Sequence, residues 1–173
     1  NEGLKNLWRI NTESHRSGFY HHGRADWDLL SKFNEGVICT SACAAGILSS
    51  YIKQEKNYDE VLIKFLDIFK DRFYIELSTY HADFQKQLNK ELVSIAKKWG
   101  IPTVYGNDAH YAFPEQYDLH EAILAIQYNQ KIAELTEPHH APCLYIMSED
   151  EIRSSLDYLD ASIVDDAIKN TNL

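Results

Sequence analysis

Four residues of metal-binding types follow three apolar, β-rich stretches of the chain. Cys43 follows "GVICTSA", His81 comes shortly after "RFYIELST", and Asp108 and His110 come shortly after "IPTVYG". Imidazole and thiolate are ligands that suit zinc, and a carboxylate suits zinc or manganese and can bridge two ions. Each residue also has a simpler interpretation. A lone histidine near a strand end is often a surface or packing residue, and a free cysteine is often a small buried apolar residue.

The spacing of these residues favours a shared site. Asp108 and His110 are two residues apart, so their side chains point the same way if extended backbone continues beyond the strand. In parallel α/β proteins the carboxyl ends of the strands meet on one face, where the loops carry the chemistry. Recurrence after three strands therefore predicts that Cys43, His81, Asp108 and His110 converge on one metal site. The alternative for "NDAHY" is a turn in which Asn107 and Asp108 bond their own backbone.

Histidines elsewhere in the chain carry weaker signals. His21 and His22 are expected in an exposed loop. His139, His140 and Cys143 are close enough in "HHAPC" to hold a metal locally, but one Pro-containing loop offers little rigidity for a site. The strand ends are therefore favoured over this loop.

Three further residues could support such a site. Arg24 could contact a phosphate, because its planar fork matches phosphate oxygens; the alternative is a surface ion pair with Asp26 or Asp28. His120 lies on a predicted helix and could face the mouth of the predicted sheet or barrel, or it could be a surface or packing residue. Glu76 lies in the middle of a predicted strand, where alternation could turn it inward as a hydrogen-bond acceptor.

Strand and helix signals alternate along the middle of the chain. Apolar, β-rich stretches predict three strands, at 36–42, 72–79 and 101–106. Apolar residues at helical spacing predict helices at 57–71 and 84–100, and further helices are predicted at 114–129, after Pro114, and at 148–156. An apolar stripe of Leu4, Leu7 and Trp8 predicts a helix at the start of the chain. Asn57 with Glu60, and Ser148 with Glu151, resemble capping boxes. Gly100 is expected to end its helix. This alternation predicts an α/β fold with parallel strands, and residues 130–147 are expected to form a loop before a short strand.

Composition limits the classes of function. With 173 residues, of which 45% are hydrophobic and 25% charged, the chain suits one domain with its own core. The formal charge of −9 argues against a broad basic face for DNA phosphates, whereas carboxylates suit divalent cations. No apolar run is long enough to cross a bilayer, and there is no signal-peptide pattern. Three cysteines without metal-finger spacing fit a reducing compartment, so we expect a cytoplasmic protein with no membrane partner.

Several blocks of the chain match one known family. "EGVICTSACAAGIL" resembles that family's "EGLI-LSGC-AGE" segment. The stretch from "FKDRFYIELSTYH" through "NDAHY" to "LHEAILAIQ" resembles its aromatic-rich strand, the following His, "NDxHY" and "AHDxLLxIQ". The beginning of the chain, "NEGLKNLWRINTESHRSGFYHHGRADWDLL", is similar to the family's "EGYxNLxKLxSxAxxEGFYxxPRID" and matches it at Gly18, Phe19, Tyr20, Arg24 and Asp26. Together these blocks cover nearly the whole chain, and they resemble the PHP (polymerase and histidinol phosphatase) domain of bacterial DNA polymerase III alpha subunits.

The resemblance implies part of an irregular, TIM-like barrel of seven βα units with metal ligands at its strand ends. It carries over the same four positions, Cys43, His81, Asp108 and His110, as ligands. The family's earlier ligands lie upstream of this sequence. We therefore expect residues 1–173 to be one domain, the second half of a PHP domain. We also expect a fragment, because the chain starts inside a predicted helix and ends without a Gly or Pro stop signal.

This chain departs from the family at three small places. Ala42 stands where the family's "SGC" has glycine, which leaves the thiol of Cys43 in place. Ala82 stands where the family has glycine after the ligand histidine, and this could alter the turn. "HHG" at 21–23 replaces a "Y-K-P" type stretch, which leaves the details of that loop open.

The resemblance implies two main functions. In the first, paired zinc or manganese ions form a phosphoesterase site that hydrolyses DNA 3′ phosphodiesters as a proofreading exonuclease, and magnesium serves the parent polymerase. In the second, a metal-poor structural module braces the polymerase and docks a separate proofreading subunit. A histidinol-phosphatase-like phosphatase is a further alternative, which "GFYHHGRADW" and "LHEAILAIQ" argue against. The implied partners are the rest of the alpha subunit and, through it, DNA. The fragment alone is expected to hold one metal weakly and to lack efficient catalysis.

Overall fold

The computed structural model describes residues 1–79, 83–135 and 141–172, which contain eight α-helices and three short strands. The elements in chain order are α1 (Glu2–Arg16), α2 (Trp27–Lys32), β1 (Cys39–Thr40), α3 (Ile47–Lys53), α4 (Asp59–Phe69), β2 (Phe73–Leu77), α5 (Asp83–Trp99), β3 (Thr103–Tyr105), α6 (Tyr117–Tyr128), α7 (Glu149–Ser155) and α8 (Ala161–Asn170). Within these parts no helix is both long and apolar enough to span a membrane. The chain forms two compact units, unit 1 from 1–41 and 46–74, and unit 2 from 42–45 and 75–173.

Unit 1 is built around aromatic packing. Phe73 is fully buried and stacks on Phe65 at a centroid distance of 4.9 Å, and Trp27 meets Phe65 edge-on at 5.0 Å. Such pairs add stabilisation beyond the area that they bury. The guanidinium of Arg72 donates hydrogen bonds to the carbonyls of Asn34 and Val37, which fixes the loop before β1. In this unit β1 pairs in parallel with the start of β2.

Unit 2 holds the rest of the parallel pairing. Ile75 pairs with Thr103 and Leu77 with Tyr105, so the end of β2 runs parallel to β3. Side chains from β2, α5 and the segment after α7 are fully or almost fully buried here: Ile75, Leu77, Leu92 and Leu156. Burying these apolar side chains is the main stabilising contribution to such a unit. At the start of β3, the Asn170 amide of α8 donates a hydrogen bond to the Thr103 carbonyl at 2.8 Å.

The predicted α/β fold with parallel strands is confirmed, although each strand is shorter than predicted. Gly100 follows α5 with φ +65°, the left-handed conformation expected of a glycine that ends a helix. The capping box of Ser148 and Glu151 is also confirmed. The one predicted at Asn57 and Glu60 is wrong, because α4 begins at Asp59 and the Asn57 side chain accepts a hydrogen bond from the Asp59 amide instead.

The structure differs from the prediction in three of its helices and in one strand. Helices α2, α3 and α8 were not predicted, because two are shorter than two turns and the third lies beyond the alternating region. In place of a short strand near residue 145, the described part of the chain has one isolated parallel bridge between Tyr111 and Tyr145. The closed barrel of seven βα units and the single domain stay predictions.

Candidate functional site

Asp108 and His110 lie side by side in the loop that follows β3. Asp108 Oδ1 is 3.5 Å from His110 Nε2, and the two side chains are 49% and 31% exposed, respectively. The condition that extended backbone continues beyond the strand is not met, since Asp108 has φ +51° in the left-handed region. Aspartate adopts this region more readily than most residues. A turn, rather than a continued strand, therefore brings the carboxylate and the imidazole together.

The segment from Ala141 to Met147 holds this loop through its backbone. Asn107 Nδ2 donates to the Tyr145 carbonyl at 2.6 Å, and the Met147 amide donates to Asn107 Oδ1 at 2.9 Å. The amides of His110 and Tyr111 both donate to the Leu144 carbonyl, at 2.8 and 3.2 Å. Asn107 thus forms hydrogen bonds with backbone groups almost forty residues away. In the alternative for "NDAHY" it would have bonded its own backbone instead.

A buried histidine packs behind the pair. His120 of α6 is 9% exposed, and its ring meets the His110 ring edge-on, at a centroid distance of 5.6 Å and an interplanar angle of 87°. The Tyr111 ring lies 5.1 Å from His120, and the Tyr111 hydroxyl donates to the Ala141 carbonyl at 3.1 Å. Of the interpretations open for His120, packing is the one that the structure supports.

Tyrosines near the loop stay protonated at ordinary pH. The hydroxyl of Tyr145 donates to Glu151 Oε1 at 2.7 Å, and this bond raises the pKa of Tyr145 to about 12. Hydrogen bonds from Ser148, and then the one from Tyr145, lower the pKa of Glu151. Burial, followed by the nearby Glu121 carboxylate, raises the pKa of Tyr117 to about 12. These tyrosines can serve as hydrogen-bond donors, and they are poor bases.

Glu76 of β2 lies against the start of the same loop. A Cβ atom added to Gly106 would come within 2.1 Å of Glu76 Oε1, so a larger residue there would require the Glu76 side chain to move. Along β2 the residues alternate, and Glu76 occupies the half-buried face while Ile75 and Leu77 are buried on the other. The carboxylate therefore lies beside the backbone that leads to Asp108.

The structure brings together part of the predicted ligand set. Cys43 is half-buried in a turn after Ala42, which has φ +61°. Across 1–79, 83–135 and 141–172, no group of three or more His, Cys, Asp or Glu side chains is arranged to hold a metal ion, so Cys43 does not join Asp108 and His110 in such a group. The predicted ligand His81 lies outside the described residues, as do His139 and His140 of the weaker candidate loop. Cys143 of that loop is buried.

Arg24, the predicted phosphate contact, lies in unit 1. Its side chain is exposed, and the guanidinium carbon lies 4.6 Å from the centre of the Tyr20 ring, within the range of a cation–π contact. Within residues 1–79 no ion pair joins Arg24 to Asp26 or Asp28. Instead, Asp26 caps α2 by accepting a hydrogen bond from the Leu29 amide at 2.8 Å. The guanidinium fork thus stays accessible to an anion.

The distance between Asp108 and His110 suits two ligands of one metal ion. Bond lengths of about 2.0–2.1 Å to a tetrahedral zinc ion place two ligand atoms about 3.4 Å apart. The observed 3.5 Å between Oδ1 and Nε2 is close to this value and longer than a usual N–H···O hydrogen bond. A carboxylate and an imidazole in this arrangement fit two positions of a zinc or manganese site.

Comparison with known proteins shows consistent similarities. The PHP domain family matches residues 1–80. DNA polymerase III subunit alpha of Aquifex aeolicus is 38% identical over 78% of this chain, that of Thermus aquaticus 32% over 89%, and that of Campylobacter jejuni 28% over 98%. The chain spans only 12%, 13% and 15% of the lengths of these three relatives. The similarity is therefore to a small part of a much longer protein.

Proposed function

We propose, since this chain belongs to the PHP-domain region of DNA polymerase III alpha subunits, that it is the second half of such a domain and serves DNA replication within that subunit. PHP domains are generally metal-dependent. The proposed contribution of this half is part of a phosphoesterase site of the 3′–5′ exonuclease type, with Cys43, His81, Asp108 and His110 as metal ligands. A cytoplasmic location, DNA as a partner of the whole subunit and magnesium for its polymerase reaction belong to the same proposal.

The adjacent carboxylate and imidazole of Asp108 and His110 are the observation that supports this function most directly. A bound zinc or manganese ion would supply a hydroxide near neutral pH and positive charge for phosphoryl oxygens. Asp108 and His110 hold two ligand positions, and Asn107 keeps their loop anchored to the backbone of residues 145 and 147. Anchoring of this kind supports a ligand pair by limiting its motion. Arg24 is proposed as a separate phosphate contact.

A structural role is the second candidate, and two observations favour it. The described residues contain no group of three or more metal-ligand side chains. In addition, α6 exposes an apolar stripe of Leu119, Ile123 and Ile126, of which Ile126 is 81% exposed. Residues spaced by four and three lie on one helix face. Because the chain is a small part of its relatives' length, we propose the rest of the alpha subunit as the surface that covers this stripe. A proofreading exonuclease subunit is the further partner in this case.

Metal analysis of the full-length alpha subunit tests the first function. We expect bound zinc or manganese in the purified protein, and a loss of at least one ion per molecule in His110→Ala and in Asp108→Asn. Asparagine also tolerates a left-handed backbone, so Asp108→Asn removes the charge with little effect on the turn. His22→Ala, which changes an exposed histidine in unit 1, is the matched control and should keep its metal. Unchanged metal content in both site variants would refute the proposed ligands.

Two further measurements separate the candidate functions. A metal-dependent 3′–5′ exonuclease should shorten a 3′-labelled primer, and His110→Ala should abolish this while polymerase activity is retained. If the role is structural, His110→Ala should leave primer shortening unchanged. Ile123→Glu with Ile126→Glu should then increase protease cleavage between this region and the rest of the subunit. Asp118→Lys, which changes the charge at an exposed position of the same helix outside the stripe, is the control.

A further inference from the structure

We infer that His120 is a positioning residue whose buried ring holds the His110 imidazole in the orientation that a metal ligand needs. The role in metal binding rests on the proposed function. The contact between the two rings does not depend on it.

The geometry around His120 is that of a packed aromatic support. The centre of its ring is 5.6 Å from that of His110 and 5.1 Å from that of Tyr111, two residues of the loop after β3. The 87° angle to His110 is the edge-to-face arrangement that aromatic pairs prefer. His120 itself is 9% exposed, whereas the His110 side chain is 31% exposed. The buried ring is thus well placed to fix the more exposed one.

Backbone and Asn107 hydrogen bonds hold the loop, and the ring contact acts on the His110 side chain. The His110 amide donates to the Leu144 carbonyl. The side-chain amide of Asn107 donates one hydrogen bond and accepts another. These bonds act on the backbone of the loop, whereas the His120 ring acts on the two side-chain torsions of His110. A ring packed against the imidazole removes alternative rotamers, and a ligand that is already oriented loses less freedom when it binds.

His120 is not itself a third ligand in this arrangement. Among the described residues no group of three His, Cys, Asp or Glu side chains suits a metal ion, although Asp108, His110 and His120 are neighbours. Its contribution is therefore made through His110. Removing groups that orient metal ligands through hydrogen bonds typically changes metal affinity by about 10–100-fold, and we expect the ring contact to act within the same range.

The first test uses the metal-free, full-length protein. Diethyl pyrocarbonate modifies accessible imidazoles, and the rate at His110 can be read by peptide mass spectrometry. We expect this rate to rise several-fold in His120→Ala and to stay near wild type in His120→Phe, which keeps an aromatic ring. Leu124→Ala, which truncates a buried side chain one turn further along α6, controls for general loosening of the helix and should leave the rate unchanged. An unchanged rate in His120→Ala, or an equal rise in His120→Phe, would overturn the inference.

The second test is the affinity for Zn²⁺ alone, measured by competition with a chromophoric chelator. His120→Ala should weaken binding by about tenfold or more, while His120→Phe and Leu124→Ala stay close to wild type. If His110→Ala loses the metal and His120→Ala does not, the inference fails and the proposed function stands. If His110→Ala keeps the metal, the proposed function fails, and the modification rates then decide the ring contact alone.

Discussion

Replacing Asn107 by alanine should loosen the loop that carries Asp108 and His110. Asn107 donates to the Tyr145 carbonyl at 2.6 Å and accepts from the Met147 amide at 2.9 Å, and both bonds are partly buried. Each hydrogen bond makes a net contribution of about 1 kcal/mol to stability. A backbone group left unpaired in a buried place costs about 1–3 kcal/mol. Because water reaches partly buried groups, we expect a total loss of about 2–4 kcal/mol in the free energy of local opening.

Hydrogen exchange on the full-length protein measures this loss directly. A change of about 2–4 kcal/mol corresponds to about 30- to 1,000-fold faster exchange of the Met147 amide, up to the unprotected limit. Asn107→Asp keeps the acceptor for Met147 but loses the donor to Tyr145, so it should fall between wild type and Asn107→Ala. Asn172→Ala removes only a long local bond of 3.4 Å and is the control. Wild-type protection of the Met147 amide in Asn107→Ala would refute the anchoring role.

Three other predictions concern stability and pH. Ala42→Gly should stabilise the protein by about 0.5–1 kcal/mol, because Ala42 has φ +61°. Ala45→Gly, which has no positive φ to relieve, should lower the urea midpoint instead. Burial raises the pKa of the Cys39 thiol from its ordinary 9.0 to about 11. The Cys39 thiol therefore ionises at a lower pH in the unfolded chain than in the folded protein. Its contribution to the free energy of unfolding is fully present below pH 9 and should be lost as pH rises towards 11. Alkylation of Cys39 should have its midpoint near pH 11 in the folded protein, and a midpoint near 9, as in urea, would contradict this. Phe73→Ala should cost about 3–5 kcal/mol by urea unfolding, against less than about 0.5 for exposed Phe113→Ala.

Local sequence signals predicted the elements of the fold well where periodicity was strong. The pattern of 84–100 predicts a helix that the structure has at Asp83–Trp99, and Gly100 ends it with a positive φ. The Ser148 capping box is equally local, since both partners lie within one turn. Strand ends were less well predicted, because a strand lasts only while a neighbouring strand pairs with it, and β1 pairs over just two residues.

The site was predicted in part for a related reason. Residue type and position after β3 were enough to select Asp108 and His110 as a pair. The turn at Asp108 and the anchoring by Asn107 depend on backbone groups of residues 144–147, in a segment with no clear periodicity. His120 had no signal beyond its residue type, since its helix position was compatible with packing, surface or ligand roles.

The sequence by itself determined the alternation of strands and helices, the family and the residue types available for metal binding. These follow from side-chain chemistry and from periods of two and 3.6 residues, which are local properties of a chain. Only the tertiary structure decided that Asp108 meets His110 through a left-handed turn, that Asn107 anchors this turn and that His120 packs behind it. Each of these depends on a partner distant in the chain or on the backbone conformation of a loop, and neither is encoded in a short window of residues.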